Sequence, residues 1–130
     1  MNKIELACVI EDNPVNVFWM ETVMEDANFC DDLLIYNNGK EAIEALKPMI
    51  SSGVKLPDII FLDLNMPIMD GWEFLDEFTK IPIEQEVTIY IVTSSIDPAD
   101  RKKASQYERV SNFIVKPVEV DQLQEILNKF

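Results

Sequence analysis

The sequence predicts an α/β domain in which a mainly parallel sheet is covered by helices on both faces. Five short apolar runs alternate with five predicted helical segments, in four of which apolar residues repeat at helical spacing. The run Ile59-Ile60-Phe61-Leu62 is apolar throughout, as in a strand buried on both faces. Alternation of this kind favours parallel strands with right-handed crossovers. No linker, repeat or low-complexity segment divides the 130 residues, so we expect one domain over residues 1–130.

The strands are predicted from runs of apolar residues that polar or turn residues close. In chain order they cover residues 4–10, 33–36, 59–62, 87–92 and 113–115. The first run is stopped by Glu11 and Asp12, and the second by Asn37-Asn38-Gly39. Asp63 directly follows the third run, and Pro67 then turns the chain away from the sheet.

The helices are predicted from apolar stripes and from residues that favour helix ends. They begin at or just after Pro14, Gly39, Gly71, Pro98 and Val120. Asn13 and Asp97 stand where a helix cap is needed, each before a proline at the first helical position. The first helix is expected to end near Asn28, and Pro82 should stop the third. Pro48 should kink or end the second.

The charge balance limits the classes of partner. The chain carries 24 acidic and 11 basic side chains, for a formal charge of −13. A strongly acidic surface is repelled by the phosphates of nucleic acids and by anionic membranes. We therefore expect no direct nucleic-acid partner and no membrane partner, while the excess of carboxylates favours the binding of cations.

The lack of histidine and the placement of the two cysteines further limit the kinds of site that the chain can form. The chain contains no histidine, which removes the commonest general base and the commonest zinc ligand. Cys8 lies in an apolar run and Cys30 in a predicted polar turn, and their spacing suits neither a metal site nor a disulfide scaffold. No stretch has the length and apolarity of a signal peptide or a membrane span. We expect a cytoplasmic protein with reduced thiols.

Polar side chains follow four of the five predicted strands. They are Glu11 and Asp12, Asp63, Thr93, and Lys116. The carboxyl ends of parallel strands meet at one edge of the sheet, where ligands bind in open α/β folds. Three carboxylates held together raise one another's pKa unless a cation lies among them. Oxygen ligands without His or Cys favour Mg²⁺, and an opposing lysine and hydroxyl would hold phosphoryl oxygens.

Four separated motifs resemble those of the receiver domain of two-component response regulators, over the whole chain. They are Val9-Ile10-Glu11-Asp12-Asn13, Asp63-Leu64-Asn65-Met66-Pro67 with Met69-Asp70-Gly71, Val92-Thr93-Ser94-Ser95, and Phe113-Ile114-Val115-Lys116-Pro117. The resemblance implies a doubly wound, flavodoxin-like fold with sheet order 2-1-3-4-5 and five helices. It also implies a cis bond between Lys116 and Pro117. The chain departs from many relatives in having Glu11 where they have Asp.

The resemblance also assigns roles around the third strand. Asp63 would be the phosphoacceptor, taking the phosphoryl group from a phosphohistidine of a sensor histidine kinase or a histidine phosphotransfer protein. Mg²⁺ would be held by Asp12, Asp63 and the backbone carbonyl of Asn65, with Glu11 acting through a water. The side chains of Asn65 and Ser95 would tune autodephosphorylation. Such a chain catalyses only its own phosphorylation and dephosphorylation, and it is not an enzyme in the usual sense.

Signalling would depend on the fourth and fifth strands. By resemblance, Lys116 and Thr93 would bind the phosphoryl oxygens. The hydroxyl of Thr93 would move inward and vacate space that Phe113 can fill. The surface changed in this way is helix 4, strand 5 and helix 5, which would bind a downstream protein or a second copy of the domain. The run Arg101-Lys102-Lys103 offers a basic patch on this surface.

Two other functional classes stay open. A haloacid-dehalogenase-like, Mg²⁺-dependent phosphohydrolase would also use an Asp nucleophile, but it needs a second Asp two positions later, where this chain has Asn65. A receiver-like interaction module that never carries phosphate would not need the acids, the hydroxyl and the lysine at the strand ends. Their presence favours a phosphorylated receiver, whose kinase and target the sequence does not name.

Overall fold

The computed structural model describes residues 4–94 and 97–130, and it confirms the predicted fold class. Within these residues, five parallel strands form one sheet in the order β2-β1-β3-β4-β5. The strands are β1 Ile4–Ile10, β2 Cys30–Tyr36, β3 Ile59–Leu62, β4 Thr88–Thr93 and β5 Val110–Val115. The helices are α1 Pro14–Asp26, α2 Gly39–Ser52, α3 Gly71–Thr79, α4 Pro98–Ala104 and α5 Val120–Asn128. The sheet order implied by the resemblance is therefore confirmed.

Apolar side chains pack on both faces of the sheet. On one face, α2 and α3 bury side chains such as Leu46 and Phe74. On the other face, α1 and α5 bury side chains such as Met24 and Leu123. All four residues of β3 are buried, as expected for a central strand. In the described part of the chain, no helix combines the length and apolarity that crossing a membrane requires.

The two edge strands are longer than their apolar runs. β2 begins at Cys30, so the prediction that Cys30 lies in a turn is wrong. β5 begins at Val110, three residues before the predicted start. The added positions, such as Asp32 and Asn112, are exposed but pair through their backbones with β1 and β4. Polar side chains are tolerated there because an edge strand faces solvent.

Helix ends follow their capping residues. Asn13 Oδ1 accepts a hydrogen bond of 2.9 Å from the Val15 N–H, and Asp97 Oδ1 accepts one of 3.0 Å from the Ala99 N–H. Both predicted caps are confirmed. Pro48 does not end α2, which continues to Ser52 and stops at Gly53, whose φ of 72° suits a glycine.

Candidate functional site

Three carboxylates meet at the carboxyl ends of β1 and β3. Glu11, Asp12 and Asp63 each present an oxygen, and these oxygens all lie within 4.8 Å of one another. The side chains of Glu11 and Asp63 are buried, whereas Asp12 is exposed. The backbone holds the two strand ends together, because the Asp63 N–H donates to the Ile10 carbonyl at 3.0 Å. The structure thus brings together the acids that the sequence placed at this edge.

Lys116 connects the end of β5 to this cluster. Its Nζ lies 2.6 Å from Glu11 Oε1 and 3.4 Å from Asp63 Oδ1. Its backbone N–H donates to the Thr93 carbonyl at 2.8 Å, which joins the ends of β4 and β5. The bond between Lys116 and Pro117 is cis, as the resemblance implied. The ammonium group of Lys116 therefore lies close to two buried carboxylates, those of Glu11 and Asp63.

The carboxyl group of Asp63 is hard to ionise in this environment. The pKa of Asp63 is raised from its ordinary value of 3.8 to about 6, mainly because burial disfavours the charged form and also because Glu11 repels it, while Lys116 opposes part of this rise. Lys116 thus leaves part of the negative charge uncompensated. Three carboxylates within reach of one another are hard oxygen donors that suit Mg²⁺.

Thr93 and Phe113 lie on neighbouring strands beside this cluster. Register pairs Ile91 with Phe113 and Thr93 with Val115, so Thr93 and Phe113 are diagonal neighbours on one face of the sheet. Thr93 is fully buried. Phe113 is buried, and the guanidinium carbon of Arg101 lies 5.0 Å from the centroid of its ring. The fourth and fifth strands thus place these two side chains close to each other.

The loop after β3 packs tightly against the backbone of Asp63. A Cβ atom on Gly71 would lie 2.5 Å from the Asp63 carbonyl oxygen, so only glycine fits where α3 begins. The Gly71 N–H donates to the Leu64 carbonyl at 2.9 Å. The sequence indicated a turn here but not this contact. Asn65 is exposed in the loop, and Ser95 lies outside the described residues.

Sequence reasoning missed an apolar cleft beside the site. Val15 and Trp19 of α1 line a cleft of about 420 Å³ together with Lys116 and Pro117. The Trp19 indole N–H donates to the Val118 carbonyl at 2.7 Å, which holds α1 against the segment after β5. The available signal was that the first two turns of α1 are apolar except at Asn16, so that apolar residues are not confined to the face that covers the sheet. The cleft adjoins the lysine of the charged cluster.

Comparisons with known proteins agree with the fold and identify the family. The family model described as "Response regulator receiver domain" matches residues 7–128. A two component response regulator from Cytophaga hutchinsonii is 29% identical, with a TM-score of 0.88 over 98% of this chain and 96% of that one. The receiver domain of a sensor histidine kinase from Pseudomonas aeruginosa is 23% identical, with a TM-score of 0.75 over 96% of this chain and 95% of that one. Its crystal structure has a magnesium ion coordinated in the active site cleft.

The curated relatives include much longer proteins. The sensor histidine kinase CheAY of Helicobacter pylori is 32% identical over 97 residues, which are 75% of this chain. This chain spans only 12% of the length of that kinase. The match therefore concerns one region of a larger signalling protein.

Proposed function

Because the chain belongs to the family of response regulator receiver domains, the signalling modules of two-component systems, we propose that it accepts a phosphoryl group on Asp63 from a phosphohistidine. The whole of residues 1–130 would act as one receiver domain. The observation that carries the proposal is the placement of the buried Asp63 carboxylate within 3.4 Å of the Lys116 ammonium and beside two further acids. Receiver domains act as signalling modules, and in this proposal the chain catalyses only its own phosphorylation and dephosphorylation.

Mg²⁺ is the cofactor in this proposal. Asp12 and Asp63 would bind it with the backbone carbonyl of Asn65, and Glu11 would act through a water. The fit rests on the three oxygens within 4.8 Å and on the charge that Lys116 leaves uncompensated. When bound, Mg²⁺ neutralises charge on the transferring phosphoryl group. The magnesium ion of the Pseudomonas receiver domain supports this choice of metal.

The transfer step needs positioning more than covalent assistance. An ionised oxygen of Asp63 forms a bond to phosphorus while the phosphorus–nitrogen bond of the phosphohistidine breaks, and the bonding electrons remain on the imidazole nitrogen. Lys116 Nζ and the Thr93 hydroxyl would bind the phosphoryl oxygens. Loose transition states of this type are stabilised mainly by alignment and by nearby positive charge. The 3.4 Å between Lys116 and Asp63 already places that charge beside the nucleophile.

The phosphohistidine would come from a sensor histidine kinase or a histidine phosphotransfer protein. The partner has to reach the edge of the sheet where Asp63 lies. Val15 and Phe18 on α1 are 74% and 71% exposed, and the cleft beside Lys116 continues this apolar surface. Exposed apolar residues beside a reactive group are typical of a protein docking surface. Neither nucleic acid nor a membrane has a part in this proposal, which places the chain in the cytoplasm.

The phosphorylated form would act through the surface of α4, β5 and α5. Binding of a phosphoryl oxygen would draw the Thr93 hydroxyl inward, and Phe113 would take the space it leaves. The diagonal placement of these residues on one face supports the coupling. The changed surface would bind a downstream protein or a second copy of the domain.

Incubation with acetyl phosphate and Mg²⁺ tests this function against the two alternatives. A receiver forms a phosphorylated protein that decays slowly. A phosphohydrolase releases phosphate in many turnovers, although Asn65 cannot supply the general acid that such an enzyme needs two positions after its nucleophile. An interaction module gives neither result. Repeated release of phosphate, or the absence of both phosphorylation and phosphate release, would contradict the proposal.

A further inference from the structure

The basic residues of α4 are directed at aromatic rings of neighbouring elements. The guanidinium carbon of Arg101 lies 5.0 Å from the centroid of Phe113 in β5. Lys103 Nζ lies 4.5 Å from the centroid of Trp72 in α3. Both distances are within the range of cation–π attraction. The basic patch predicted for this helix is therefore partly engaged within the molecule, with the exposed Lys102 between the two contacts.

Side-chain contacts of this kind hold α4 in place. The helix has seven residues, and of these only Ala104 is buried, so its apolar contact with the sheet is small. Just after the helix, the ring of Tyr107 stacks on Trp72 with the centroids 6.1 Å apart. The Tyr107 hydroxyl donates to Asp76 Oδ1 at 2.6 Å, which ties this end of α4 to α3. A helix with so little buried surface depends on such contacts for its position.

We propose that Arg101 is a positioning residue, whose guanidinium holds the Phe113 ring in the place seen here and opposes its displacement when Asp63 is phosphorylated. This inference rests on the proposed function, since it assumes that the site signals through Phe113. Phe113 belongs to the buried apolar cluster on this face of the sheet, and the guanidinium carbon of the exposed Arg101 lies 5.0 Å from the centroid of its ring. A displacement of the ring that lengthens this 5.0 Å separation weakens the attraction, so the lost attraction adds to the free energy of switching.

The same contact controls when the charge of Arg101 is available. While the ring holds the guanidinium, the cation is partly satisfied within the molecule. Once the ring is displaced, Arg101 is released next to Lys102. An acidic segment of a partner would then meet the released guanidinium of Arg101 in addition to the exposed ammonium of Lys102. The contact thus links the state of Asp63 to the charge presented by α4.

Indole resonances give a direct test, because the chain has two tryptophans. Trp72 contacts Lys103 and Tyr107 and so reports the position of α4, while Trp19 bonds to Val118 and reports the rest of the fold. The ¹H–¹⁵N spectrum is recorded for each protein with Mg²⁺ alone and with Mg²⁺ and beryllofluoride, a stable mimic of the phosphoryl group. The variants are Arg101→Met, Arg101→Lys as the conservative change, and Lys102→Met as the matched control.

For wild-type protein, we expect beryllofluoride to shift the Trp72 signal. Without beryllofluoride, the Trp72 signal of Arg101→Met should already lie between the positions that it has in the wild-type protein without and with beryllofluoride. Beryllofluoride should bind Arg101→Met about two- to five-fold more tightly than it binds the wild-type protein, as expected for loss of one exposed cation–π contact. Arg101→Lys should return both quantities toward wild type, and Lys102→Met should change neither. Without beryllofluoride, the Trp19 signal should have its wild-type position in every variant.

The possible failures are distinguishable. If the wild-type protein binds no beryllofluoride, the proposed function fails and this inference fails with it. If the wild-type protein responds but Arg101→Met has the wild-type signal and affinity, the function stands and the role of Arg101 is overturned. A weaker affinity in Arg101→Met would also overturn it, because the contact would then belong to the switched state.

Discussion

Lys116 donates a hydrogen bond of 2.6 Å from Nζ to Oε1 of Glu11, across 105 residues of sequence. Glu11 is one methylene longer than an aspartate, and its carboxylate reaches Lys116 directly. Its carboxylate is therefore neutralised by a side chain of the domain itself. A divalent cation entering the cluster has to compete with this ammonium for Glu11 and for Asp63.

Because Lys116 competes with Mg²⁺ for the carboxylates, we expect its removal to strengthen Mg²⁺ binding but to slow phosphorylation. Lys116→Met removes the competing charge, so Mg²⁺ should bind several-fold more tightly. The same change removes a donor to the phosphoryl oxygens, so phosphorylation by acetyl phosphate should slow by about tenfold or more.

Mg²⁺ affinity is read from tryptophan fluorescence and the rate from mass spectrometry. Lys80→Met, at an exposed lysine of the α3 end, is the control. Weaker Mg²⁺ binding in Lys116→Met would refute the competition.

Asp63→Asn should stabilise the metal-free protein in a pH-dependent way. The pKa of Asp63 is raised from 3.8 to about 6, so the ionised carboxylate destabilises the fold above that pH. As pH falls toward the unfolded value, the folded chain binds a proton that the unfolded chain does not, and this destabilisation disappears. The advantage of the variant, on the order of 1–2 kcal/mol after allowance for solvent screening, should be largest above the folded pKa and vanish toward about pH 4.

Urea unfolding in EDTA at several pH values measures this difference. Asp26→Asn, at an exposed acid at the end of α1, corrects for the change in net charge. An advantage that grows as pH falls would show that the Asp63 carboxyl is not destabilised by its surroundings.

Mg²⁺ should raise the melting temperature of the wild-type protein. A ligand that binds only the folded chain adds about 2.7 kcal/mol at a concentration of 100 times its Kd. Asp12→Asn should lose most of this gain, because it removes the exposed member of the carboxylate cluster. Glu25→Gln, an exposed acid elsewhere on α1, should keep it. The measurement is thermal unfolding with increasing Mg²⁺, and equal gains in the two variants would argue against this metal site.

Thr93→Ala should separate phosphorylation from signalling. The variant lacks the hydroxyl that the phosphoryl group would draw inward, but it keeps the Thr93 backbone carbonyl that accepts a hydrogen bond from the Lys116 N–H. Asp63 should still be modified, while the shift of the Trp72 indole signal on modification should fall to a small fraction of the wild-type shift. A full shift in Thr93→Ala would mean that the change reaches α4 by another route.

Much of the fold could be predicted because it depends on local patterns. β1, β3 and the starts of the helices follow from apolar runs and caps that need no knowledge of the partner element. The first residues of β2 and β5 could not be predicted in this way. Positions such as Asp32 and Asn112 belong to strands only because the backbones of β1 and β4 pair with them.

Some features of the site were likewise predictable from local sequence patterns, and others were not. Residues at strand ends converge because the sheet is parallel, so the cluster around Asp63 was predictable from the sequence. The packing of Gly71 against the Asp63 carbonyl was not, because it depends on the angle at which α3 leaves the loop. The contacts of Arg101 with Phe113 and of Lys103 with Trp72 join residues far apart in sequence, and no periodicity indicates such pairs.

The role of Asp63 is tested most directly by the mass of the intact protein after incubation with acetyl phosphate and Mg²⁺, for wild type and Asp63→Asn, with Asp70→Asn as a control at a neighbouring acid of the β3–α3 loop. We expect the mass of one added phosphoryl group in wild type and in the control, and none in Asp63→Asn. A phosphorylated species at full yield in Asp63→Asn, or its absence from wild type, would contradict the assignment of Asp63 as the phosphoacceptor.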